Sequence, residues 1–171
     1  MTRAEGAVVL ALYPTSRGFG FALFRGGQTL VDWGIKDIRW KNKNFLAMHL
    51  MKMLIDRYAP DVIVVEDLAR NPRRHERIRV LHTQIAAHAK SKKIAVRRFT
   101  QGAMHEHFGV HTKYAVAEAV ARAIPMLAPR LPPKRKAWMS EDARQSLFDA
   151  VALGIVYFAS AARTAPRNGG G

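Results

Sequence analysis

Apolar residues follow two rhythms along the chain, one of strands and one of helices. Ala7–Tyr13 is an unbroken apolar run rich in β-formers, which predicts a buried strand. Pro14 and Gly18 bracket a turn, Phe19–Phe24 predicts a second strand, and Gly26-Gly27 is a hairpin turn into a third, Thr29–Ile35. The period then changes. Phe45, Met48, Met51, Leu54, Ile55 and Tyr58 recur at three- and four-residue spacing, which predicts an amphipathic helix. Pro60-Asp61 ends it, and Val62–Val65 is an all-apolar strand of the kind buried on both faces. Arg74–Lys92 predicts a helix with Ile78, Leu81, Ile85, Ala86 and Ala89 on one face, and Ile94–Phe99 a fifth strand. Tyr114–Ile124 predicts a helix stopped by Pro125, and the proline-rich, basic stretch Met126–Lys136 a loop. Ser140 is the expected N-cap of a last helix, with Glu141 and Asp142 in its first turn and its end near Ala162.

Three hairpin-linked strands followed by alternating helices and strands predict an α/β fold, with one mixed five-stranded sheet and helices on both faces. Residues 1–163 read as one domain and 164–171 as a flexible Pro/Gly-rich tail. The 171 residues suffice for a sizeable core without staples. There is no cysteine, hence no disulfide framework and no thiolate zinc site. No run of about eighteen apolar residues predicts a membrane span, and the start, MTRAEG, lacks the pattern of a signal peptide; the expectation is a cytoplasmic protein. Charge changes the picture most. Lys and Arg number 28 against 13 Asp and Glu, a formal net charge of +15. A surface this basic favours polyanions, nucleic acid first, by releasing counterions.

Specific residues sharpen this. Leu12-Tyr13-Pro14-Thr15-Ser16-Arg17-Gly18-Phe19-Gly20 resembles the first-strand motif of RuvC-type Holliday junction resolvases, in which an Asp precedes Pro-Gly-Ser-Arg. Val62-Ile63-Val64-Val65-Glu66 resembles that family's fourth strand, which ends on a catalytic Glu. Phe148-Asp149-Ala150 and the apolar stretch after it resemble its final helix. Gly109-Val110-His111-Thr112-Lys113 resembles the segment that places a basic residue near the scissile phosphate. The resemblance runs from Val8 to Phe158. It implies an RNase H-like fold, branched DNA as partner, Mg²⁺ or Mn²⁺ as cofactor, and a homodimer, since a two-fold junction calls for two sites.

The resemblance also implies catalytic roles for Glu66, Asp149 and Lys113, with Glu66 and Asp149 as metal ligands. Two ligand positions depart from the pattern. Tyr13 stands where the central Asp belongs, and Ser146 where a further acidic residue is common. A phenol is a poor ligand for Mg²⁺ at neutral pH, and two-metal hydrolysis needs converging carboxylates. Asp32 and Asp37 fall on the wrong side of the sheet to substitute. Asp67 faces away from Glu66 if the strand continues and inward if it does not. Asp142 and Asp149, on one face of the last helix, stand too far apart to share an ion.

Arg70, Arg73, Arg74 and Arg77, with Lys113, are candidate phosphate contacts. Trp138 beside Lys134-Arg135-Lys136 is a core filler or a stacking aromatic. His105, His107 and His111 have no fixed ligand set. Three functions stay open. A nucleic-acid binder that cleaves weakly or not at all fits the missing ligand best. An endonuclease with a rearranged site and a non-catalytic scaffold are the alternatives.

Overall fold

The first three apolar runs hydrogen-bond as an antiparallel meander: β1 (Val8–Thr15), β2 (Gly18–Arg25) and β3 (Thr29–Asp37). The computed structural model describes residues 6–69, 71 and 74–164. Helix α1 (Lys43–Tyr58) leads to β4 (Val62–Glu66), and α2 (Glu76–Ser91) to β5 (Ala95–Phe99). Both of these strands join in parallel, giving the order β3-β2-β1-β4-β5. Then come α3 (Gln101–Phe108), α4 (Lys113–Ala123), a 3-10 turn (Pro125–Arg130) and α5 (Gln145–Thr164). This is the predicted mixed five-stranded sheet.

Strand alternation divides the core in two. Val9, Ala11 and Tyr13 of β1 face α4 and α5, while Leu10 and Leu12 face the apolar stripes of α1 and α2. Because β1 lies between β2 and β4 and is covered on both faces, its apolar run is continuous rather than alternating. Helix α5 packs closest to the sheet. Every residue from Gln145 to Gly154 is buried, and two glycines admit it. A Cβ at Gly20 would lie 2.2 Å from the Ser146 carbonyl oxygen, and one at Gly154 would lie 2.1 Å from the Phe24 ring. With a mean hydropathy of 1.4 this helix is apolar enough to cross a bilayer, yet 61% of that window is buried inside the domain, as for a core helix.

Five expectations are corrected. Residues 101–108 form a helix where none was read; Thr100 caps it by accepting the Ala103 amide, and Gly109 ends it at φ 66°. Pro125–Arg130 make a 3-10 turn that takes up the first part of the expected loop Met126–Lys136. Ser140 is not the N-cap of the last helix, which starts at Gln145; Asp142 instead accepts the Arg144 amide and pairs with its guanidinium at 2.8 Å, an Asx turn that precedes the helix. Asp142 and Asp149 therefore do not share a helix face. Thr164 closes α5 rather than opening the tail, and residues 165–171 lie outside the described residues.

The close approach of α5 makes a test. Gly20→Ala must push α5 off β2 and should cost about 1–3 kcal/mol. Gly102→Ala, on an exposed helical position with only Thr100 nearby, should be neutral or stabilising by up to about 1 kcal/mol. Urea midpoints measure both, and equal midpoints for Gly20→Ala and wild type would remove this account of the packing.

Candidate functional site

Sheet register brings the site together. Val9 pairs with Val62 and Ala11 with Val64 in the parallel β1–β4 ladder, so two further steps bring Tyr13 level with Glu66. Glu66 ends β4 and Tyr13 lies two residues before the end of β1, both at the sheet end where the second turn of α5 supplies Asp149. Tyr13 is fully buried, and Glu66 and Asp149 are each 1% exposed. The chain then adds two cations. Arg74, just before α2, sets its guanidinium 3.2 Å from Glu66 Oε2 and donates to the Pro14 carbonyl at 2.8 Å. Lys113, the first residue of α4, sets Nζ 3.2 Å from Asp149 Oδ2 and donates to both Glu141 carboxylate oxygens at 3.0 and 3.1 Å. Both cations lie over the Tyr13 ring, 5.3 and 5.1 Å from its centroid, within cation–π range.

The remaining polar groups tie in as well. Gln101 Nε2 donates to the Tyr13 hydroxyl at 3.0 Å. Gln145 Nε2 donates to Asp149 Oδ1 at 3.3 Å and to the Lys113 carbonyl at 3.2 Å. Burial, reinforced by the negative charge of Asp149, holds the Tyr13 phenol neutral, well above its ordinary value. Burial pushes the Asp149 carboxyl up to about 6 against the pull of Lys113. Burial alone would lower the Lys113 ammonium, but Asp149, Tyr13 and Glu141 outweigh it and hold the charge firmly in place. Behind Arg74, His82 is pushed down to about 4 by burial, then by Arg74, Arg98 and Arg79.

The donor set does not fit a pair of divalent ions. The central position is a neutral phenol, and a chain cation already faces an oxygen of each carboxylate. No group of three or more His, Cys, Asp or Glu side chains suited to a metal occurs among the described residues. Glu66 does keep both oxygens, and Asp149 its Oδ2, without an aligned hydrogen bond. These resemble waiting ligands, but the guanidinium and the ammonium beside them supply the balancing charge. Ser146 offers nothing further, since its hydroxyl donates to the Ala143 carbonyl.

Other candidates are placed differently. Arg77 is spent on the Ser16 carbonyl and Asn44, so it braces the turn after β1 rather than standing free. Arg70 and Arg73 lie outside the described residues. Asp67 accepts the Ala69 amide, and Asp32, on β3, accepts from the Tyr58 hydroxyl of α1. Gly109 ends α3 between His107 and His111, so these two do not share a helix. Trp138 is 79% exposed, which rules out the core reading. Sequence reading missed Gln101, Glu141, Gln145 and His82. Only Gln145 carried a signal, its four-residue spacing from Asp149.

No family model and no curated protein sequence matches the chain. Solved structures do. RuvC of Thermus thermophilus superposes with TM-score 0.62 at 14% identity, covering 92% of this chain and 97% of that one. The same protein in complex with Holliday junction substrate gives TM-score 0.64. The yeast mitochondrial Holliday junction resolvase Ydc2 gives TM-score 0.63 at 15% identity, covering 94% of this chain and 82% of that one. The fowlpox virus Holliday junction resolvase gives TM-score 0.54 at 13% identity, covering 90% and 99%. At such identities the likeness is one of fold: this chain has the RNase H-like fold in the form that RuvC and other Holliday junction resolvases have it.

Two buried groups predict opposite pH responses. Asp149 has a folded value near 6, above its ordinary 3.8. Its contribution is full below that ordinary value and lost as pH rises through about 6. His82 has a folded value near 4, below its ordinary 6.5, so its contribution is present above 6.5 and lost as pH falls through about 4. Between about pH 7 and pH 5, Asp149→Asn should therefore lose about 1–2 kcal/mol relative to wild type, and His82→Gln should gain about as much. Denaturant titrations at the two pH values read this; parallel curves for all three proteins would refute it.

Proposed function

We propose that the chain binds branched DNA at the basic end of its sheet, as a homodimer in the cytoplasm, without efficient metal-dependent cleavage. The observation that carries this is a contrast at that end of the molecule: cations are abundant and the metal-binding apparatus is filled. The turn after β1 and the loop after β3 lie together, since Ile38 N donates to the Arg17 carbonyl and Lys43 Nζ to that of Ser16. They present Arg17, Arg39, Lys41 and Trp40, the last 72% exposed. Across a cavity of about 310 Å³ lined by Arg17 and Arg135, the loop before α5 presents Lys134, Lys136 and Trp138. Phosphates suit the cations and unstacked bases suit the tryptophans. The fold shared with junction resolvases and the net charge of +15 support the same reading.

Binding should be tight at low salt and fall steeply with ionic strength. Arg39→Gln, Lys41→Gln and Lys134→Gln together should weaken it and flatten the log–log salt slope by about 0.9 for each phosphate no longer neutralised. Gel shifts on a four-way junction and on linear duplex measure affinity, slope and preference. An unchanged slope would move the binding face elsewhere, and absence of binding would sink the reading. In the same samples Mg²⁺ or Mn²⁺ should produce little or no cutting. Brisk metal-dependent cleavage abolished by Glu66→Gln would overturn the second half of the proposal.

A further inference from the structure

We propose that Arg74 and Lys113 are tethered stand-ins for the divalent ions that carboxylates at this position of the fold would otherwise share, so that the centre is complete without metal. The inference deepens the reading above and rests on it only for the identity of the site.

Three observations carry it. The buried charges close: Glu66 and Asp149 bring two negative charges into a space they share with a neutral phenol, and Arg74 and Lys113 bring two positive ones, each 3.2 Å from its carboxylate, while Glu141, the third carboxylate, meets Lys113 from the partly exposed rim. The places fit too, because both cations lie over the ring of Tyr13, the β1 residue level with Glu66, at 5.3 and 5.1 Å. An ion held by either carboxylate would meet a chain cation already 3.2 Å from its oxygen. Finally, the cations join elements as a metal would. Arg74 links β4 to β1 through Glu66 and the Pro14 carbonyl. Lys113 links α4 to α5 and to the loop before it through Asp149 and Glu141. Guanidinium and ammonium supply that charge but no open coordination position for water, so the centre keeps its architecture and loses its Lewis acid.

The test uses purified protein without DNA, and Mn²⁺ is the probe. Wild type should give the same melting temperature in EDTA and in Mn²⁺ and no saturable heat in calorimetric titration. Tyr13→Asp alone should stay as indifferent, because both stand-ins remain. Tyr13→Asp combined with Lys113→Ala should gain a Mn²⁺ site and a rise in melting temperature of roughly 5–10 °C at a hundredfold excess over its Kd. Adding Asp149→Asn should abolish that rise. If the alanine variant does not fold, Lys113→Gln replaces it. Saturable Mn²⁺ binding by wild type that is lost in Asp149→Asn would overturn the proposal. So would Mn²⁺ binding to Tyr13→Asp as tight as to the double variant, or no response in the double variant. Because the readouts need no DNA, a failure of junction binding would sink the proposed function and leave this inference standing.

Discussion

Pairing of buried charge at the end of β1 and β4 is the constraint on which the rest of the site depends. Glu66 and Asp149 are almost wholly buried, and an unpaired carboxylate there would cost several kcal/mol or surrender its charge. Every segment that converges on this point brings a partner. The start of α2 is anchored through Arg74, the start of α4 through Lys113, the loop before α5 through Glu141, and α3 through Gln101. Breaking a buried pair by removing one partner typically costs about 3–5 kcal/mol. Truncating Lys113 or Arg74 would thus loosen several loops at once.

Both cations sit against local preference. A helix N-terminus carries partial positive charge and favours anions, yet Lys113 opens α4 and Arg74 immediately precedes α2. Their placement is sustained by the carboxylates opposite, not by their own helices. Tyr13 helps in a way that an aspartate would not. Its ring offers a negative face to both cations without adding net charge, and its hydroxyl is satisfied by Gln101. A further buried carboxylate at that position would find both chain cations already paired, so it would take up a proton or lower stability.

The fold was legible because apolar period and turn chemistry agreed along most of the chain. The run Val8–Leu12 is apolar at every position and becomes an interior strand, while α1 shows its stripe in sequence and uses it against the sheet. Where pattern was weak, reading failed. Gln101–Phe108 has a single buried residue, Met104, so no apolar stripe marks the helix, and its start depends on one threonine cap. Ser140, Glu141 and Asp142 look like a capped first turn, which puts the expected start of the last helix too early. In three dimensions Glu141 is drawn to Lys113 and Asp142 to Arg144, two long-range or side-chain preferences that local sequence does not display. The site was legible as a list of carboxylates and a gap. That Arg74 turns inward to fill it was not, since five arginines within ten residues look alike until the fold selects one.

That selection bears on what kind of surface the protein presents. An active two-metal site is strongly anionic until loaded, and it approaches a phosphate through its ions. Here the carboxylates are neutralised from within, so a polyanion can come close without first recruiting metal. The exposed arginines and lysines around the rim then act without a negative centre beneath them. The cost of this arrangement is chemical. Ammonium and guanidinium groups can position and balance a phosphodiester, but neither lowers the pKa of a bound water as a divalent ion does. Pairing Glu66 and Asp149 with chain cations would therefore favour holding a polyanion over cutting it.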